Sequence, residues 1–335
     1  MFFYMGRREG GRKRSKMIKE IARPKLKNAV LIVAWPGMGE VAYRTALFLK
    51  EVLPFKIFAK LEAIDFFKPA GVIVEKGVVK IPSLPAGFFY YYKNRGGNDI
   101  ILFLGDAQPP LEHSEQLAKV IIEFLVRYKI KFVFSFAAKP EPIDHKTNFK
   151  IWMVATHPAI FDMFKKYNLN ILSQGQISGL NGLILGVAKR YNLKGVCFLA
   201  EIPFYTVQIE NPRANVAILR ILSDYLGLSL NLTPLLERAK FIEEEIDKLI
   251  SYLKGEVSTP APLSEEDIEK IKKDLATYTK LPSSAREKIE ALFKEAEKDI
   301  SKAGKLKEEL DKWNVYKEYE DRFLDLFKDK GNQVH

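Results

Sequence analysis

Val30-Leu31-Ile32-Val33-Ala34-Trp35-Pro36-Gly37-Met38-Gly39 decides how the chain folds. Apolar residues follow one another without alternation, which predicts a strand buried on both faces, as in a parallel sheet sandwiched by helices. The run stops at Pro36-Gly37, and beyond it Val41, Thr45, Phe48, Leu49 and Val52 share one helical face.

Outward from there the alternation repeats. Strands are predicted at Ile57–Ala63, Phe88–Lys93, Asp99–Leu104, Phe132–Ala137, Ile151–Thr156, Ile171–Leu172 and Gly195–Ala200. Helices are predicted at Leu111–Tyr128, Pro158–Tyr167, Leu183–Tyr191 and Arg213–Leu226. Val72–Val74 and Val78–Ile81 flank Glu75-Lys76-Gly77, a hairpin signal. This is an α/β fold with a largely parallel sheet covered on both faces, to which two or three hairpins add antiparallel strands, over residues 24–230. Past Asn231 the texture changes to a helical extension, 231–335. Leu235, Ala239, Ile242, Ile246, Leu249 and Leu253 form a heptad seam, too short for a long free coiled coil. A Pro/Gly linker over 254–262 precedes a helix opening at Ser264, and helicity restarts at Pro282. The extension packs on itself or on the body, or else joins subunits.

The 335 residues hold 53 Lys+Arg against 42 Asp+Glu, a net charge of +11. Residues 1–27 contribute +8 of it, so the rest is nearly neutral. A basic, disordered arm is expected over 1–23, with Met17 as an alternative start. Nucleic-acid binding would rest on that arm alone. No segment has the roughly 18–20 apolar residues of a membrane span, and a soluble, cytoplasmic protein is expected. Cys197 is the single cysteine and the four histidines are scattered, so no intrachain disulfide, metal or cofactor is expected. Abundant Lys, Glu and Ile point towards a thermophile.

Two turns have the composition to hold an anion. Gly37-Met38-Gly39-Glu40-Val41-Ala42 reads G-x-G-x-x-A between strand and helix, with Glu62 where a dinucleotide fingerprint places its acid. A tight turn into a helix would need the same glycines. Gly175-Gln176-Ile177-Ser178-Gly179-Leu180-Asn181-Gly182 also opens a helix, and Ser178 reads as its cap. Asp106 and Glu201 follow apolar strands, where paired carboxylates do acid–base work or cap loops. The candidate ligand residues are thus Gly37, Met38, Gly39, Gly175, Gln176, Ser178, Gly179, Asn181, Asp106 and Glu201, with no catalytic set among them.

Four segments in order resemble the proteasome assembly chaperone 2 family: Val30–Gly39, Gly105-Asp106-Ala107-Gln108-Pro109-Pro110, Gly175–Ala188, and Gly195–Pro203 followed by Asn211-Pro212-Arg213-Ala214. The resemblance covers about residues 24–240. It implies a three-layer α/β/α fold like that of nucleoside phosphorylases, a homo-oligomer, and a non-catalytic role in proteasome biogenesis. Family members with that role dock on the core particle through a C-terminal hydrophobic-Tyr-any tail. Val334 stands in the tyrosine's place in Gly331-Asn332-Gln333-Val334-His335, so the resemblance does not carry that docking mode over. Archaeal and bacterial members without an established role leave an alternative: a ligase-like or phosphorylase-like enzyme using the Gly37 and Gly175 turns.

Overall fold

The structure, a computed structural model, describes residues 17–62, 66–67, 71–253, 283–312 and 315–328. The arm over 1–16, the linker, the helix read from Ser264 and the tail Gly331–His335 lie outside them. In chain order the body runs β1 (Ile18–Glu20), β2 (Val30–Ala34), α1 (Val41–Val52), β3 (Lys56–Glu62), β4 (Ile73–Glu75), β5 (Val78–Lys80), β6 (Ala86–Tyr92) and β7 (Ile100–Gly105). It continues with α2 (Leu111–Val126), β8 (Phe132–Glu141), β9 (Ile151–Ala155), α3 (Ala159–Met163), β10 (Asn170–Ile171), α4 (Leu180–Arg190), β11 (Lys194–Pro203) and α5 (Pro212–Leu226). Then follow α6 (Thr233–Leu253), α7 (Ser283–Lys298), α8 (Ala303–Lys312) and α9 (Tyr316–Lys328).

Among the described residues nine strands form one sheet in the order β1-β3-β6-β7-β2-β8-β11-β9-β10. The central β7, β2, β8 and β11 are parallel. On one side β6, β3 and β1 alternate in direction, and on the other β9 runs against β11. The sheet is therefore mixed, with a parallel heart and antiparallel strands added beside it, as the sequence predicts. The short Lys93–Asp99 connection is the physical reason on one wing, since so few residues return a strand antiparallel.

The unbroken apolar run of β2 is explained by what covers it. Val30, Ile32 and Ala34 pack towards α1 and α5, while Leu31, Val33 and Trp35 pack towards α2 and α4. Successive side chains point to opposite faces, so both must be apolar. The disorder expected to residue 23 does not extend over Ile18–Glu20. Ile18–Glu20 pairs with β3, and the Tyr128 hydroxyl donates to Glu20 Oε1 (2.6 Å).

The heptad seam of α6 is used against the body, with Ala239 and Ile246 buried. Arg213 grips Glu243 with two bonds of 2.5 and 2.6 Å, and Arg238 pairs with Glu210. Helices α7–α9 close around a core of their own, including Ile289, Phe293, Leu306, Leu310 and Phe323, with Phe204 of the body against it.

Candidate functional site

The carboxyl end of the parallel strands gathers the loop after β2, the loop after β7, the segment entering α4 and the turn after β11. Asn181, in the first turn of α4, is 5% exposed and faces the loop after β2. Its Oδ1 accepts from Trp35 N (3.0 Å) and its Nδ2 donates to Trp35 O (3.1 Å). Gln108 bridges next to it: Nε2 donates to Pro36 O (2.7 Å), and Oε1 accepts from Leu180 N (3.0 Å). Both amides thus satisfy backbone groups that leave a strand or begin a helix and lack regular partners.

The other side of the Gly37 turn is held equally closely. Gly39 N donates to Val207 O (2.7 Å), and Gly39 O accepts from Asn211 N (3.1 Å). Gly39 has φ 60°, and a Cβ there would lie 2.9 Å from both Asn211 Nδ2 and Ile202 Cδ1. Only glycine combines that conformation with that approach. Asn211 is buried, and its Nδ2 donates to Thr206 O (3.1 Å) and Ile209 O (2.7 Å).

The structure brings Gly37, Gly39, Gly179 and Asn181 together, with Gly37 placing a would-be Cβ 3.6 Å from Asn181 Nδ2. It does not make them a dinucleotide cradle. The Gly39 amide, which would have to meet a phosphate, is bonded within the protein. Glu62 lies on β3, three strand positions from β2 and so roughly 14 Å away at the usual strand spacing. Met38 is half-buried against the apolar core. Ser178 is not the cap: Gly179 occupies that position at φ 75°, and Gln108 supplies the acceptor for the first helical amide.

Asp106 and Glu201 do not meet either, because β2 and β8 separate β7 from β11. Asp106 Oδ2 accepts from Ala86 N (3.1 Å), tying β7 to β6. Nearby Tyr43 and Tyr90 have their pKa raised, chiefly by burial and secondarily by neighbours that include Asp106. Glu201 is buried, accepting from Trp152 Nε1 (2.7 Å) and Lys150 N (3.2 Å). Paired acid–base chemistry between these two carboxylates is not available in this arrangement.

Gly175, Gln176, Ser178 and Gly179 line a surface recess of about 690 Å3, whose apolar wall includes Leu111, Val154, Leu172 and Leu183. A second polar cluster sits at His145, which the sequence offers only as part of a polar loop pair, Asp144-His145. Its buried ring contacts the Tyr205 hydroxyl through Nδ1 (2.8 Å) and Asp247 through Nε2 (3.0 Å). Lys146 Nζ reaches the other Asp247 oxygen (2.8 Å) and holds that carboxyl below the ordinary range, with His145 adding to the effect. Burial pushes the Tyr205 phenol up to about 12. The only sequence signal was a loop histidine, whose partners lie 60 and 102 residues away.

A three-layer body whose glycine turns are stitched to one another by amide side chains defines a scaffold of interlocked loops. The chain belongs to the PAC2 family, whose model matches residues 31–250. It is similar to an uncharacterised protein of Methanocaldococcus jannaschii, 25% identical over 73% of this chain and 93% of that one. Among solved structures, Pyrococcus furiosus PbaB, described as an archaeal proteasome activator, is 26% identical over 69% of this chain and 97% of its own, with a TM-score of 0.60. Pyrococcus furiosus PbaA, an archaeal homolog of proteasome-assembly chaperone, is 25% identical over 78% and 98%, with a TM-score of 0.56. A Mycobacterium tuberculosis protein of unknown function, 16% identical, shares the fold over 90% of this chain and 95% of its own (TM-score 0.60). That coverage carries the likeness in fold into the C-terminal helices. No described helix is long and apolar enough to cross a membrane.

Proposed function

We propose that this chain is a non-catalytic, homo-oligomeric assembly factor acting on the proteasome core particle in the cytoplasm. The observation that carries this reading is the stitched node, in which Gly39 and the side-chain amides of Asn181 and Gln108 bond to the protein itself rather than facing a substrate. The likeness to PbaB and PbaA supports the proteasome as partner and an archaeal source. The domain division at residue 231 remains part of the proposal, with α6 serving as the bracket between body and extension. Mixing the full chain with a cognate core particle tests the reading. Co-migration and a change in core-particle assembly or peptidase activity are expected; no complex at micromolar concentrations would refute it.

The recess beside Gly175 favours a second reading, a small-molecule or anion-binding enzyme. Thermal-shift titration with nucleotides and inorganic phosphate tests it. A saturable shift lost in Ser178→Ala or Gln176→Ala would support it, and no shift would count against it.

A further inference from the structure

One wing of the sheet carries an open face that neither the glycine turns nor the C-terminal helices use. On that face α1 packs over β2, β7 and β8, while β6, β3 and β1 extend past it. Alternation sends Phe58 and Phe89 against Phe124 of α2 and leaves Phe88, Tyr90 and Tyr92 on the opposite side. Those three rings are half-buried and stand in line down β6, with the Phe88 and Tyr90 centroids 6.4 Å apart. Ile57, the strand neighbour of Tyr90, is 40% exposed.

Cations frame the ring row. Lys60 pairs with Phe88 across the strands, and its Nζ lies 5.9 Å from that ring's centroid. Lys50 Nζ lies 5.8 Å from the centroid of Tyr90. Both are near the outer limit of a cation–π contact, so a flat ligand displaces them at little cost. Lys19 of β1 stands directly opposite Lys60. Like charges opposed on one face destabilise a strand pair, and no described acid pairs with either lysine. Below Tyr92 the face runs into a groove of about 910 Å3, where Tyr91, Tyr92, Lys56, Lys93 and Arg95 line a wall without an acid. At the node end Glu62 and Asp106 bound the basic surface. Residues 7–16, which lead into β1 at this edge, hold Arg7, Arg8, Arg12, Lys13, Arg14 and Lys16 against Glu9 alone.

We infer that this wing binds single-stranded nucleic acid, with unpaired bases against Phe88, Tyr90 and Tyr92 and phosphates on Lys19, Lys60, Lys56 and Arg95. Lysines alone suit any polyanion. The ring row selects one whose repeating unit carries a flat π-face as well as a charge. A duplex hides its base faces and an acidic peptide lacks them, so neither uses the rings. In sequence, nucleic-acid binding rests on the basic arm alone; the wing places a folded surface beside that arm. This goes beyond the assembly-factor reading and does not depend on it.

Fluorescence anisotropy of the full chain with labelled oligo-dT and oligo-rU of about 20 nucleotides tests the inference. Saturable binding that weakens as salt rises is expected, with a duplex of the same length bound about tenfold more weakly. Phe88→Leu keeps the apolar bulk and should weaken binding about tenfold with the salt slope unchanged. Lys19→Gln/Lys60→Gln should instead lower that slope by about 1.4, at roughly 0.7 for each lost phosphate contact. With the six arm cations changed to Gln, the Phe88→Leu effect should persist. Thermal midpoints and circular dichroism establish that each variant is folded. Wild-type affinity in both face variants would put all binding on the arm and overturn the inference, as would no binding at about 10 μM protein. Polyglutamate competing as well as oligo-dT would mark an acidic-protein site, and a native mass altered by Phe88→Leu would mark a subunit contact. Either result overturns it as well.

Discussion

The node and the β4–β5 hairpin stand at one edge of the sheet and use their residues in opposite ways. In the node, side-chain amides bond to the chain's own backbone and each satisfies two groups. In the hairpin, aliphatic side chains point outward with nothing described against them. The first region looks like a ligand site in sequence and behaves as a fastening. The second shows only a hairpin signal in sequence, and its aliphatic side chains stay exposed. Glycines and amides that suggest binding can be consumed by the fold, while a plain run of valines is left exposed.

The comparison breaks most readily at Asn181. Asn181→Ala would orphan the Trp35 N–H and C=O in a buried setting and should cost about 4 kcal/mol in urea unfolding, at a typical 1–3 for each orphaned group. A loss under about 1 would mean the node is not a fastening. Gly39→Ala forces a left-handed residue against Asn211 and Ile202 and should cost about 2 kcal/mol, with circular dichroism retained below the transition. At the α6 bracket the carboxyl of Asp247 is depressed from the ordinary 3.8, first by Lys146 and then by His145. Its stabilising contribution is therefore present above that value and is lost as pH falls through the lower folded one. Protection factors along α6, with the intrinsic pH dependence of exchange divided out, should fall below about pH 4, and Asp247→Asn should show the lower protection already at neutral pH. The smallest effect on folding is expected from Val74→Glu/Val79→Glu, within about 0.5 kcal/mol, since both sites are exposed.

The parallel heart of the sheet was legible because Val30–Trp35 is apolar on both faces, a pattern only a helix-covered strand explains. The family was legible too, from four segments in order. The wings were less so: strand direction depends on connections, and β9 reverses after an irregular loop that no periodicity announces. The start of α4 was read at Leu183, three residues late, because its cap comes from Gln108, 72 positions away. The candidate site suffered for the same reason. Glycine spacing reports a tight turn, but whether its amides face a phosphate or the chain's own carbonyls depends on Val207 and Asn211, far along the sequence. The exposed valines of β4 and β5 were visible as a hairpin, whereas their uncovered state could only be seen once the rest of the body was placed.

The most direct measurement of the central claim is native mass spectrometry of the full chain with a cognate proteasome core particle. The account predicts a complex that contains the core particle and more than one copy of this chain, formed equally well without added nucleotide or phosphate. A chain that stays single and unbound, while gaining the mass of a small ligand at the Gly175 recess, would contradict it.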